Sequence, residues 1–325
     1  MTEIRRSEPQ IYKDKKYKNF KVIFECIAGS RLYGTSTPVS DTDIRGVFIP
    51  PREYFLGFLN NIEQVEEKAN DITFYDVRKF FKLCTDCNPN IVELLFVPDE
   101  FTNKSSSEWE KVKENRDLFL STKARYTFSG YAISQLHRIK QHRNWLLNPQ
   151  ERQPTRSDFG LPEDKALVSK DQLNAFNELV VNYSLKITED LKIDSNMLDI
   201  LQREKSFQNK NREWSQYQNW KTSRNPDRAA LEEKLGYDTK HGSHLYRLVT
   251  EGRELLLTGT ITFPRPDSDI ILEVRNGSYS YEGLMELVGD IDSQFSSYSD
   301  NSVLPHSPDR KKVDELCIKL VGDYI

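Results

Sequence analysis

Residues 21–50, KVIFECIAGSRLYGTSTPVSDTDIRGVFIP, constrain the fold of this chain more than any other stretch. An apolar run over residues 22–28 breaks at Gly29-Ser30. A second run, residues 44–49, follows directly on Asp41-Thr42-Asp43. Both runs have the length and side-chain character of strands. A glycine at the break lets the backbone approach a ligand closely, and the Ser30 hydroxyl can donate to a phosphate oxygen. Asp41 and Asp43 stand two apart at the head of the second run, so strand alternation directs both carboxylates to one side. Two converging carboxylates repel each other, and a divalent cation relieves the repulsion. With substrate phosphates completing its shell, that cation is expected to be magnesium, with manganese as a substitute. Asp-x-Asp in a loop and Gly-Ser in a turn are each commonplace; their order and spacing together point to metal-assisted phosphoryl chemistry.

The segment AGSRLYGTSTPVSDTDIRGVF resembles the signature of the DNA polymerase β-like nucleotidyltransferase superfamily. Within it, the chain is closest to bacterial and phage nucleotidyltransferases that include the RNA-repair-associated polymerase β-like proteins. Shorter islands extend the resemblance: NPNIVELLF near residue 90, RQPTRSDFGLP near 155 and GYDTKHGSHLYRL near 240. The resemblance implies an α/β (α+β) fold, with a nucleotidyltransferase core on a small mixed sheet followed by a mainly helical second part. It also implies transfer of a nucleoside monophosphate from a nucleoside triphosphate to an acceptor hydroxyl, with release of pyrophosphate. A third carboxylate on a neighbouring strand belongs to that pattern. Residues 71–75, DITFY, alternate as a strand does, and Asp71, on one face with Thr73 and Tyr75, is the candidate. A plain turn aspartate is the structural alternative, and Glu66 and Glu67 compete for the role. Asp76 is placed to cap the following helix, and Glu93 reads as a packing residue or one that braces the site from behind.

The polar stretch PDEFTNKSSS, residues 98–107, suggests a boundary, giving a catalytic core over residues 1–100 and a helical substrate- or acceptor-binding part over 101–325. Residues 1–19, with Lys13, Lys15, Lys16 and Lys18 close together, read as a solvated lead-in or short helix. No apolar run approaches the roughly 20 residues that span a bilayer, and no leader is visible, so a cytoplasmic protein without membrane contact is expected. Four cysteines in 325 residues make no disulfide framework, and Cys84 and Cys87 lack a second close pair to complete a zinc site.

A net charge of −4 excludes a uniformly basic nucleic-acid sleeve but leaves room for local patches. Residues 118–150 contain no Asp or Glu, and Arg138, His142 and Trp145 share one helical face. Between Arg203 and Arg228 seven basic residues stand against three acidic ones, with Phe207, Trp214, Tyr217 and Trp220 interleaved. Such aromatics can stack on bases while the cations meet phosphate, or form the buried side of an amphipathic helix. Near residue 240, Asp238 or Thr239 can cap a helix whose first turn carries Lys240 and His241. Cations are locally unfavourable there, and a ligand phosphate would explain them. His244 and Arg247 follow, as possible ligand groups or partners of nearby carboxylates.

The expected site therefore comprises Asp41, Asp43 and Asp71 as catalytic metal ligands, with Gly29, Ser30, Arg31, Lys240 and His241 on the nucleotide. An RNA end is the acceptor that the basic and aromatic stretches and the resemblance favour. A protein or small-molecule acceptor would use the same core, and a non-catalytic nucleotide- or RNA-binding module would keep the fold. Nothing in the sequence speaks to oligomeric state.

Overall fold

The computed structural model describes residues 9–38, 40–182, 194–322 and 324. They form two compact units, one of residues 1–140 with 237–325 and the other of residues 141–236. Of the lysine-rich lead-in, residues 1–8 lie outside the described part. From Gln10 the chain makes a short helix, Gln10–Lys13, that buries Ile11.

The first unit carries five strands: Lys21–Ala28 (β1), Asp43–Ile49 (β2), Gln64–Glu67 (β3), Ile72–Asp76 (β4) and Thr102–Ser105 (β5). They join in one mixed sheet, in the order β3-β4-β2-β1-β5. β1 and β2 run antiparallel with Ala28 opposite Asp43, and β2 and β4 run parallel with Ile44 opposite Ile72. Alternation gives the central strands β1, β2 and β4 two apolar faces. Val22, Ile44, Phe48, Ile72 and Phe74 gather on one face with Ile11. On the other, Phe24 stacks on Trp109 at 3.9 Å, and Trp109 meets Phe80 at 5.4 Å. These two partners come from the helices Ser107–Glu114 and Val77–Thr85. A sheet covered on both faces needs near-continuous apolar strands, which is how residues 22–28 and 44–49 read. Asp76 caps the helix Val77–Thr85 as expected, accepting from the Arg78 amide at 2.8 Å.

Residues 98–107 carry β5, paired to β1 through Phe24 and Ser105, where the sequence suggested a boundary. The stretch is polar because β5 is an exposed edge strand, and polar edges resist pairing with other chains. The compact units divide instead after residues 140 and 236, because the helix Thr239–Thr258 returns to the sheet-bearing unit. There it packs on the helices Ser268–Arg275, Tyr281–Val288 and Ile291–Asp300.

The second unit is helical, with helices Lys170–Asn182, Ser195–Ser223 and Pro226–Leu235. Its long connection is ordered around Arg156, whose guanidinium makes a two-pronged bond to buried Glu204 at 2.7 and 3.1 Å and donates to the Pro162 carbonyl at 2.6 Å. That lock lies within the RQPTRSDFGLP stretch. Trp145, Tyr217 and Trp220 pack on one another at 5.4–5.8 Å, and Trp214 adds to Tyr217 at 5.9 Å. Trp214, Tyr217 and Trp220 thus pack as a half-buried cluster with Trp145, whereas Phe207 packs on Phe159 at 5.9 Å. Several of the cations there have protein partners: Arg203 meets Asp199 at 2.8 Å, Lys210 meets Glu213 at 2.8 Å and Arg224 meets Glu232 at 3.3 Å. Trp145 is 3% exposed, so the face expected to combine Arg138, His142 and Trp145 presents only Arg138 openly. Trp145→Ala should then act on stability, lowering the unfolding free energy by about 3–5 kcal/mol. A urea titration followed by circular dichroism measures it, and an unchanged midpoint would contradict the packing role.

Among the described residues, no helix is long and apolar enough to cross a membrane.

Candidate active site

Strand register and chain order bring three carboxylates to one end of the central strands. Pairing of Ala28 with Asp43 sets the first residue of β2 beside the Gly29-Ser30 turn, and the parallel register of β2 and β4 brings Asp71 alongside. Asp41, two residues before Asp43, lines the same cleft. Asp71 is not on the strand face that alternation predicts. It precedes β4 in the left-handed conformation, with φ 49°, and its carbonyl accepts from the Ile44 amide at 3.1 Å and from Arg45 at 2.6 Å. Aspartate is among the residues that tolerate this conformation. Glu66 and Glu67 lie on β3 and do not line the cleft.

Gly29 has φ +63°, and a Cβ placed on it would lie 1.7 Å from Asp43 Oδ2. The Asp43 carboxylate therefore occupies space that only a glycine leaves open. Burial pushes its pKa above the ordinary range, and Asp71 and Asp41 push the same way, against the opposing pull of Arg45 and Lys240. Three mutually repelling carboxylates with hard oxygen donors suit a divalent cation.

The cleft encloses about 530 Å³, within the range of roughly 300–1,000 Å³ usual for small-ligand sites. Its wall also carries Lys240, His244, Arg247 and Arg275. Burial, reinforced by Arg247, Lys240, His241 and Arg275, pushes the His244 imidazole down to about 3, so it is neutral at physiological pH. One cleft thus joins a carboxylate cluster to a cationic wall.

Of the residues expected on the nucleotide, Gly29, Ser30 and Lys240 line this cleft. Arg31 and His241 are not among its lining residues. Arg31 braces the loop before β2, donating to Thr42 Oγ1 at 2.8 Å and to the Ser40 carbonyl at 3.1 Å. His241 Nδ1 meets Gln135 Oε1 at 2.8 Å. The first-turn amides of Lys240 and His241 are taken by the Asp238 side chain, so the helix start needs no phosphate to satisfy it. Lys240 lines the cleft, and its charge opposes the upward shift of the Asp43 carboxyl.

Sequence reasoning missed Arg275 and the part played by Tyr33. Tyr33 lies inside the quoted signature, whereas Arg275 reaches the cleft only because its helix packs on Thr239–Thr258. Glu93 is buried, as expected, and accepts from the Tyr33 hydroxyl at 2.8 Å. Burial raises its carboxyl from 4.5 to about 8, opposed by Arg247 and aided by Glu251. The folded protein therefore keeps a proton that the unfolded chain releases, and this contribution to stability is lost as pH rises from about 4.5 to about 8. Glu93→Gln should flatten that loss, seen as a melting-temperature difference from wild type that grows in the variant's favour across this window. A constant difference would contradict it.

Residues 5–150 match the family model described as the RNA repair pathway DNA polymerase beta family. Across an alignment of 314 residues, covering 86% of this chain and 90% of the relative, the chain is 26% identical to an uncharacterized 38.9 kDa protein from the nrdC-mobD intergenic region of Enterobacteria phage T4. Over 78 residues it is 28% identical to the uncharacterized protein YcgL of Bacillus subtilis, covering 23% of this chain and 30% of that one. No solved structure matches.

Proposed function

We propose, from the premise that the chain belongs through residues 5–150 to the RNA repair pathway DNA polymerase beta family, that it transfers a nucleoside monophosphate from a nucleoside triphosphate to an acceptor hydroxyl. The observation that carries this is the meeting of Asp41, Asp43 and Asp71 with Gly29, Ser30 and a cationic wall in one cleft. Asp41, Asp43 and Asp71 would hold magnesium, with manganese as a substitute. When bound, the ion supplies charge neutralisation on the phosphates and lowers the pKa of the attacking hydroxyl.

The residues of the chain do the rest. The acceptor oxygen attacks the α-phosphorus, the bond from that phosphorus to the bridging oxygen breaks, and pyrophosphate leaves. Lys240 and Arg275 neutralise charge gathering on the leaving group, and Ser30 donates to a phosphate oxygen. Asp71 is the carboxylate suited to take the acceptor proton. Helices after residue 101 contribute the cationic wall, so substrate binding belongs to that part of the chain.

An RNA end is the preferred acceptor, on the strength of the family's link to RNA repair. The aromatic cluster of the second unit lends it no support. Incubating the protein with magnesium, each of four α-labelled nucleoside triphosphates and separate pools of RNA, DNA, protein and metabolites tests acceptor choice. Label on RNA supports the proposal, label on another pool replaces the acceptor, and metal-dependent binding without transfer to any pool would mark a binding module.

A further inference from the structure

Behind the cationic wall lies a buried polar cluster that the chemistry above does not use. Arg247 is 6% exposed and lines the cleft. Its Nη1 lies 2.7 Å from Oε2 of Glu251, one helical turn along, and 3.5 Å from Oε2 of Glu93. The guanidinium carbon stands 4.2 Å from the centroid of the Tyr33 ring, and the Tyr33 hydroxyl donates to Glu93. Tyr33 itself closes the single helical turn that begins at Gly29 and Ser30, its amide bonded to the Gly29 carbonyl at 3.0 Å.

A guanidinium, the Glu251 carboxylate and the protonated Glu93 carboxyl, all withdrawn from water, form a costly arrangement. Each buried ion loses its solvation, and apolar side chains of the same volume often give equal or greater stability. Stability alone therefore does not account for the cluster. Nor does the cluster use up the arginine: among the described residues its buried Nε has no hydrogen-bond partner. A guanidinium held from behind on one nitrogen and stacked on a ring has lost most of its rotamer freedom. It can therefore bind an oxyanion with little further ordering cost.

We propose that Glu251, Glu93 and Tyr33 form a buried clamp that holds Arg247 as a ligand for the phosphate oxygens of the nucleotide, with Tyr33 tying the clamp to the Gly29-Ser30 turn. This rests on the nucleotide-transfer function proposed above. Arg247 touches the substrate. Glu251, Glu93 and Tyr33 are positioning residues, and through Tyr33 the two sides of the triphosphate site are set together. The motif tyrosine thereby gains a role that its spacing from Ser30 does not reveal.

Calorimetric titration of the full chain with inorganic tripolyphosphate, and with a non-hydrolysable nucleoside triphosphate analogue, with and without magnesium, tests the clamp. Tyr33→Phe removes one hydroxyl and keeps the stacked ring; it should weaken both ligands about three- to tenfold, the scale of one neutral hydrogen bond. Arg247→Lys should weaken them roughly tenfold or more, because an ammonium cannot reproduce the planar fork. The double variant Arg247→Met, Glu251→Leu replaces the ion pair with apolar volume. It should keep its thermal midpoint while losing at least about tenfold in affinity, a separation that a purely structural role would not produce. Folded variants that bind both ligands within twofold of wild type would overturn the clamp and leave nucleotidyl transfer standing. A wild-type protein that binds neither ligand would overturn the nucleotide reading, and the clamp with it.

Discussion

Asp43→Asn is expected to lower nucleotidyl transfer by at least about 10³-fold while raising the thermal midpoint of the metal-free protein. The two effects share one cause. Asp43 lies between Asp71, brought alongside by the register of β2 and β4, and Asp41, two residues earlier in the chain. Burial and both neighbours act against its ionised form. Without a bound cation this crowding is a cost that the fold carries for the sake of the site, and an amide removes it. Catalysis loses one of the three carboxylates that would hold the metal against the reacting phosphate, a larger loss than the about 10²–10³-fold of a single preorganised donor. Initial rates with labelled triphosphate and scanning calorimetry in chelator measure the pair of effects. A variant that is inactive and also less stable would point to a structural carboxylate. Full activity would remove Asp43 from the site.

Gly29→Ala should be nearly as damaging to turnover and, unlike Asp43→Asn, should destabilise. At φ +63° an L-residue carries left-handed strain of about 1–2 kcal/mol. The added methyl also claims the place of Asp43 Oδ2, from which it would lie 1.7 Å. The carboxylate must move, and a displacement near 1 Å can cost about 10²-fold in rate. Gly160→Ala is the control: it has a similar φ of +66°, but its Cβ would meet only the mobile end of Arg203. It should lose stability on the same scale and keep its activity. Comparable activity losses in both variants would mean that Gly29 matters through general stability alone.

The site was legible in the sequence where local order determines geometry. An apolar run, Gly29-Ser30, Asp-x-Asp and a second apolar run become an antiparallel pair in which Asp43 must sit beside the turn, because Ala28 is its partner. Asp71 was legible by position but not by conformation, since alternation cannot anticipate a left-handed residue just outside a strand. Contributions that depend on tertiary packing were hidden. Arg275 ends a helix 246 residues from Gly29, with nothing local to mark it. Trp214, Tyr217 and Trp220 show the converse limit: their spacing fits a stacking surface and a packed cluster equally, and only the fold shows that they pack on one another around buried Tyr217. Polarity misled at residues 98–107 because an edge strand and a linker share the same composition.

The most direct measurement follows two labels through one reaction. Matched samples of a nucleoside triphosphate, labelled at the α- or the γ-phosphate, are incubated with protein, magnesium and RNA. Transfer of a nucleoside monophosphate carries the α label onto the acceptor and releases the γ label as pyrophosphate, and both events should vanish in the Asp41→Asn, Asp43→Asn double variant. The γ label on the acceptor, or equal transfer by the double variant, would contradict the account.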